Sequence, residues 1–379
     1  MISPIVAEPV FWAGNQWIAY GTYPAGGGAI ETSPDGINWT IFNNLSLSQI
    51  VWKGSLTGSG YAFVGSFSNS NSQYTIVSSV NGSSWVLPST VTKDSLYGGT
   101  CSGVKWVSPY WIQYGTNGKT DNTSNSIGIS IDGGLSYVPQ FGLSVTDPLL
   151  GIACSFLVSN STDLVFTTAS DIYSASISSI SNGVATWTKQ YTLTSLFSFT
   201  NLFWNGFYWI AWSQGGVYDG ADLIIKVGTG SWTKITVPSS MYSIFSVVWN
   251  PDDKYWLILG ADSSDNRYLT TLKYTTSFVF STSVPSPVPL TDGFRWNGSY
   301  WLAPGTNRMA KSADGLTWTL HYLGNITLAD APVWNGQYWL TSVADLSSSL
   351  IGKSFNGINW FFKSGFFKLP RVTCMESDL

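Results

Sequence analysis

FRWNGSYWLAPGTNRMAKSADGLTWTL, residues 294–320, reads as four short strands joined by three turns. Asn297-Gly298 stands between Trp296 and Tyr300-Trp301, and Asn-Gly flanked by aromatic strand formers is a strong short-range hairpin signal. A second hairpin turns at Asp314-Gly315, with Ser312 before it and Trp318 after it. Such a unit has an apolar face too large to leave in water and too few residues to bury it alone. It therefore has to stack on copies of itself.

The copies run the length of the chain. The first hairpin type appears at Phe11 (FWAGNQWIAYGT), Val51, Cys101 and Cys154, then more clearly at Leu202, Val247, Phe294 and Val333. The second type alternates with it, from IETSPDGINWTIF at Ile30 through Ile76, Ile127, Ile172, Leu223, Leu269 and Met309 to IGKSFNGINWFFK at Ile351. Successive copies lie roughly 38 to 53 residues apart, in or near the range of a four-stranded propeller blade. The expectation is an all-β chain forming a single β-propeller of four-stranded antiparallel blades over residues 10–364, with a lead-in at 1–9 and a tail at 365–379. Eight blades fit best. Seven is the runner-up, if the degraded copy between Cys154 and Lys189 is an insertion. The tail from Phe366 either supplies a closing strand to the first blade or leaves whole blades to meet edge to edge.

Composition narrows the partners. Aromatic residues make up 16% of the chain and charged residues only 10%, which suits many half-buried strands with uncharged Ser, Thr, Asn and Gly on their wet faces. The net charge of -4 comes from few charges of either sign, so no basic surface exists to neutralise a phosphate backbone and nucleic acid is not expected as a partner. Cys101, Cys154 and Cys374 are isolated, giving neither a zinc spacing nor a disulfide framework, although two of them can pair if the fold brings them together. No segment has the apolar length of a membrane span and no signal peptide is read at the start, so synthesis in a cytoplasm without membrane insertion is expected.

The second hairpin resembles the Asp-box, or BNR, repeat of sialidase-like propellers, Ser-x-Asp-x-Gly-x-x-Thr-Trp. Ser130, Asp132, Gly134 and Tyr137 match the family spacing, with Tyr in place of Trp. Ser33, Asp35, Gly36 and Trp39, like Ser312, Asp314, Gly315 and Trp318, form a version one residue shorter. Asn replaces Asp in Asn81-Gly82, followed by Trp85, and in Asn356-Gly357, followed by Trp360. A physical reason stands beside the resemblance. The carboxylate or amide and the Ser hydroxyl accept hydrogen bonds from turn N–H groups, Gly takes the positive φ, and the aromatic ring covers the hairpin. The resemblance implies a structural turn between the third and fourth strands of a blade, away from any catalytic centre.

The enzymes among such propellers use an arginine triad from separate blades, a Tyr-Glu nucleophile pair, an Asp acid and an Arg-Ile-Pro motif. This chain has four arginines, Arg267, Arg295, Arg308 and Arg371, two of them in one repeat, and no Arg-Ile-Pro. His321 is the only histidine, so a histidine metal cluster is unavailable and a Ser-His-Asp site would rest on that residue alone. Asp262 with Asp265, and Asp219 with Asp222, have the types needed to bind calcium or hydrolyse a glycoside, but read better as solvated loop residues. No catalytic residue, metal or cofactor is expected.

Most of the 20 tryptophans fall at repeated positions and read as packing between blades. Trp212 is the exception, on the opposite strand face, where other repeats place Tyr20 and Tyr114. These three are the candidate ligand contacts, with an aromatic pore lining as the competing reading. Strand alternation puts the two tight turns of each repeat at one end and the longer connections, from Ser66, Thr116, Ser213 and Ala261, at the other. Function on a rigid scaffold concentrates in such loops. The expected function is a non-enzymatic structural or interaction scaffold that binds a protein through that face as part of a larger assembly. In its Ser/Thr/Asn/Gly-rich style the chain also looks like the repeat propellers of large DNA viruses and phages, which implies a virion-associated or adhesin-like component. A carbohydrate-binding, lectin-type propeller is the alternative, and a glycoside hydrolase of sialidase-like fold the second.

Overall fold

The computed structural model describes residues 10–22, 28–43, 47–54, 61–68, 74–82, 84–86, 100–116, 127–134, 136–140, 154–193, 198–213, 220–286, 293–305, 307–324, 326, 331–342 and 350–364. They form eight four-stranded antiparallel sheets, each built from strands consecutive in the chain, which are the blades of a β-propeller. Blades 1 to 8 occupy residues 10–43, 47–86, 100–139, 156–192, 199–235, 243–285, 295–322 and 333–364. The degraded copy is a complete blade, with strands Phe156–Ser159, Asp163–Thr167, Asp171–Ser176 and Thr188–Thr192. The seven-blade alternative therefore falls. In blade 6 a short strand, Val284–Pro285, pairs beside Arg267–Tyr274 as a fifth member. The segment proposed as a closing strand lies outside the described residues. Among those residues no helix is long and apolar enough to cross a membrane.

Register explains how the repeat packs. In blade 1, Trp17 stands opposite both Trp12 and Ser33, and Ala19 opposite Glu31. These residues share the sheet face that meets blade 8, where Trp17 and Ala19 join Tyr338, Leu340 and Ile351 in one apolar cluster. The alternate residues Ile18 and Tyr20 occupy the opposite face and are also buried. A second strand buried on both faces accounts for the near-continuous apolar runs WIAY and YWLILGA, where a one-sided sheet would alternate.

Two compact units are distinguishable, Met1–Ile41 with Ser213–Leu223 and Lys234–Leu379, and Phe42–Trp212 with Ile224–Thr233. In the first, apolar clusters join blade 6 to 7, 7 to 8 and 8 to 1. In the second they join blade 2 to 3, 3 to 4 and 4 to 5. Trp17, Trp111, Trp209, Trp256, Trp301 and Trp339 are among the largest fully buried side chains, in keeping with the packing role expected of the repeated tryptophans.

Candidate functional site

At the tight-turn ends the polar groups are bound into the turns themselves. In blade 7, Gly315 N donates to Ser312 Oγ at 2.8 Å, Leu316 N and Thr317 N donate to Asp314 Oδ1 at 2.9 and 2.7 Å, and Trp318 Nε1 donates to Gly315 O at 2.8 Å. Blade 1 repeats the pattern through Ser33 and Asp35, and there Trp39 is half-buried against the 8–1 cluster. In blades 2 and 8 the amides of Asn81 and Asn356 take the place of the carboxylate, and Trp85 and Trp360 donate to Gly82 O and Gly357 O. Blade 3 carries an extra glycine, so Gly134 N reaches Ser130 Oγ one residue later, Ser136 N bonds Asp132 Oδ1, and Tyr137 is buried. Backbone amides, led by that of Asn38, hold Asp35 well below the usual carboxylate range. Burial works against Asp314, yet the amides of Thr317 and Leu316 still lower it.

The same turns latch onto neighbouring blades. Trp301 Nε1 donates to Tyr255 Oη at 2.9 Å, Trp339 Nε1 to Tyr300 Oη at 3.0 Å and Trp17 Nε1 to Tyr338 Oη at 2.7 Å. Each tryptophan thus bonds the tyrosine of the preceding blade, blade 8 to blade 1 included. Lys311 Nζ lies 3.6 Å from the Tyr300 ring centroid and donates to Asn356 O; Lys353 Nζ does the same over Tyr338 and donates to Asp35 O. The repeated tryptophans were legible as packing residues, but their pairing with a tyrosine of the preceding copy was not.

The residues singled out for ligand binding are not surface groups. Tyr20, Tyr114 and Trp212 are 3%, 5% and 3% exposed, at corresponding positions on three different blades. The Tyr114 ring lies so close over Gly103 that a Cβ there would sit 2.5 Å from it. Of the described arginines, Arg267 lies over the Phe245 ring, Arg295 donates to Phe294 O, and Arg308 is exposed. His321 pairs in register with Met309, and burial followed by the Lys311 charge lowers its pKa. Cys154 is a buried free thiol whose pKa burial pushes up.

Among the carboxylates, Asp262 behaves as a loop residue, accepting from Ser264 N, Asn266 N and Asn266 Nδ2. Asp222 does not. It is buried and ion-paired with Lys234, while its backbone N–H bonds Ser213 Oγ, which corrects the solvated-loop reading of that residue. Asp219 lies outside the described residues. Glu31 was missed altogether. It is fully buried and neither of its carboxylate oxygens has a hydrogen-bond partner. The signal was present, since IETS places Glu where the aligned strands have Val77, Gly128, Ala310 and Gly352. Among the described residues no group of three His, Cys, Asp or Glu is placed to hold a metal ion.

Comparison with protein-family models returned no match, and neither did a search of curated proteins. Solved structures are similar in fold. A eukaryotic initiation factor matches with a TM-score of 0.53 at 10% identity, over 96% of this chain and 100% of that one. A GH74 xyloglucanase from Xanthomonas campestris gives 0.44 at 10% identity, over 92% and 71% of the two chains. A virginiamycin B lyase from Staphylococcus aureus gives 0.45 at 11%, over 76% and 90%. At 10% identity the likeness to the initiation factor shows the fold alone.

Proposed function

We propose that this chain is a non-enzymatic interaction scaffold that binds a protein partner through the blade ends opposite the tight turns, as a virion-associated or adhesin-like component of a larger assembly. One observation carries the reading: at the tight-turn ends the hydroxyls, carboxylates and amides are engaged in their own turns. The other ends differ from blade to blade. Strand Trp301–Gly305 is followed almost at once by Arg308–Ser312, whereas Trp111 to Thr116 is separated from Ile127–Ser130 by a longer connection. A rigid frame with variable loops at one end is a common arrangement for recognition. The test is to exchange residues 117–126 and 262–266 for Gly-Ser linkers of equal length. The expected result is a chain that still melts cooperatively, with loss of co-purification, in fixed stoichiometry, with the particle or partner. Retained co-purification would refute the face assignment.

A second reading, carbohydrate binding, draws on Trp12, Trp106, Trp204, Trp249, Trp296 and Trp334, which stay half-buried at one repeated position on the first strands. A sugar can stack on such rings. A glycan array separates the two readings, because a scaffold of the first kind gives no saccharide-dependent signal.

A further inference from the structure

Glu31 is a buried carboxyl, without a hydrogen-bond partner, that neither the turns nor the latches use. Its register partner is Ala19, and the pair lies on the face that carries Trp17 and Ser33 and packs on blade 8. Small residues hold the same position in blades 3, 7 and 8, so the carboxyl is particular to the junction where the last blade meets the first. An ionised carboxylate removed from water without a partner is unfavourable enough that the group takes up a proton instead.

Among the described residues, the charged and titratable groups of blades 8 and 1 nearest it have other partners. From blade 8, Lys353 is committed to Asp35 O and the Tyr338 ring, and Tyr338 Oη accepts from Trp17. From its own blade, Asp35 is held by its turn amides, and Tyr20 belongs to the alternate residues on the other face.

We propose that Glu31 makes the junction of the first and last blades a proton-controlled latch, closed while its carboxyl is protonated and loosened when that carboxyl ionises. Burial pushes Glu31 up to about 8 from an ordinary value of 4.5. Opening the junction returns the group to water. A carboxyl whose value is raised in the closed form favours closure fully below about 4.5, and that advantage falls as pH rises toward about 8, so the opening constant grows by about tenfold per pH unit across that window and levels off above it.

Carboxyl titration tests this directly, because the chain has only three glutamates, Glu8, Glu31 and Glu376. With 13C-labelled glutamate, one signal should titrate near pH 8 and vanish in Glu31→Gln. Hydrogen exchange, corrected for intrinsic rates, should show strands Trp17–Thr22 and Gly28–Ser33 losing about tenfold protection per pH unit between about pH 5 and 8. Strands Tyr255–Ala261 and Trp301–Gly305, at the 6–7 junction, should hold, and Glu31→Gln should abolish the difference. If that variant fails to fold, the double variant Glu8→Gln/Glu376→Gln leaves Glu31 as the single signal, and the same exchange comparison decides. The proposal is overturned if Glu31 titrates near 4.5, or if protection at the 8–1 junction tracks the 6–7 junction.

Discussion

Trp339 and Trp111 occupy equivalent positions, yet Trp339 Nε1 has the Tyr300 hydroxyl as acceptor while Trp111 Nε1 is buried without one. Tyr300→Phe keeps the ring under Lys311 but strands the indole N–H, which is expected to destabilise by about 1–3 kcal/mol in urea titration. The turn residues permit a sharper comparison. Asn356 Oδ1 accepts from Ile358 N and Asn359 N as Asp314 Oδ1 accepts from Leu316 N and Thr317 N. Asp314→Asn should therefore be nearly neutral in thermal melts, whereas Asp314→Ala should cost about 1 kcal/mol. Equal losses in the two variants would mean that charge, not hydrogen bonding, holds the turn.

At the scale of the hairpin, the glycine of the second turn answers two demands at once. Gly357 has φ 73°, and a Cβ there would lie 2.8 Å from both Leu302 methyls of the preceding blade. Gly357→Ala is expected to cost about 1–3 kcal/mol and to lower protection in blades 7 and 8 together, measured by hydrogen exchange. Elements of this kind were legible from sequence because the turn chemistry is local: Asn-Gly, Ser-x-Asp-Gly and the following aromatic act within a few residues of one another. Blade 4 was harder to read because its first turn uses Asn160, which accepts from Thr162 N and Asp163 N, with no following glycine. Contacts between copies left less trace. Within blade 5, the ion pair of Asp222 with Lys234 links the residue before strand Leu223–Val227 to strand Thr233–Ile235; between copies, Glu31 lies on the face that packs against blade 8. Tyr20, Tyr114 and Trp212 stood out because they vary between copies, and their burial is a property the sequence pattern did not carry.

For the whole molecule, two sets of carboxyls pull stability in opposite directions with pH. Asp35, Asp262 and Asp314 are all lowered by their turns, so their contribution is present above the ordinary carboxylate range and is lost as pH falls through it. Glu31 is raised, so its contribution is fully present below about 4.5 and is lost toward about 8. The melting temperature should therefore peak at mildly acidic pH, near 4 to 5, and Glu31→Gln should flatten the alkaline side while leaving the acid side unchanged. The contacts that carry blade 8 onto blade 1, a tryptophan to a tyrosine and a lysine to a turn carbonyl, are those that carry blade 7 onto blade 8. Blade 1 is thus docked on blade 8 by the same kinds of contact that dock blade 8 on blade 7. A circular permutant with its old ends joined by a linker and a fresh opening between residues 326 and 331 should melt cooperatively, within a few degrees of the parent.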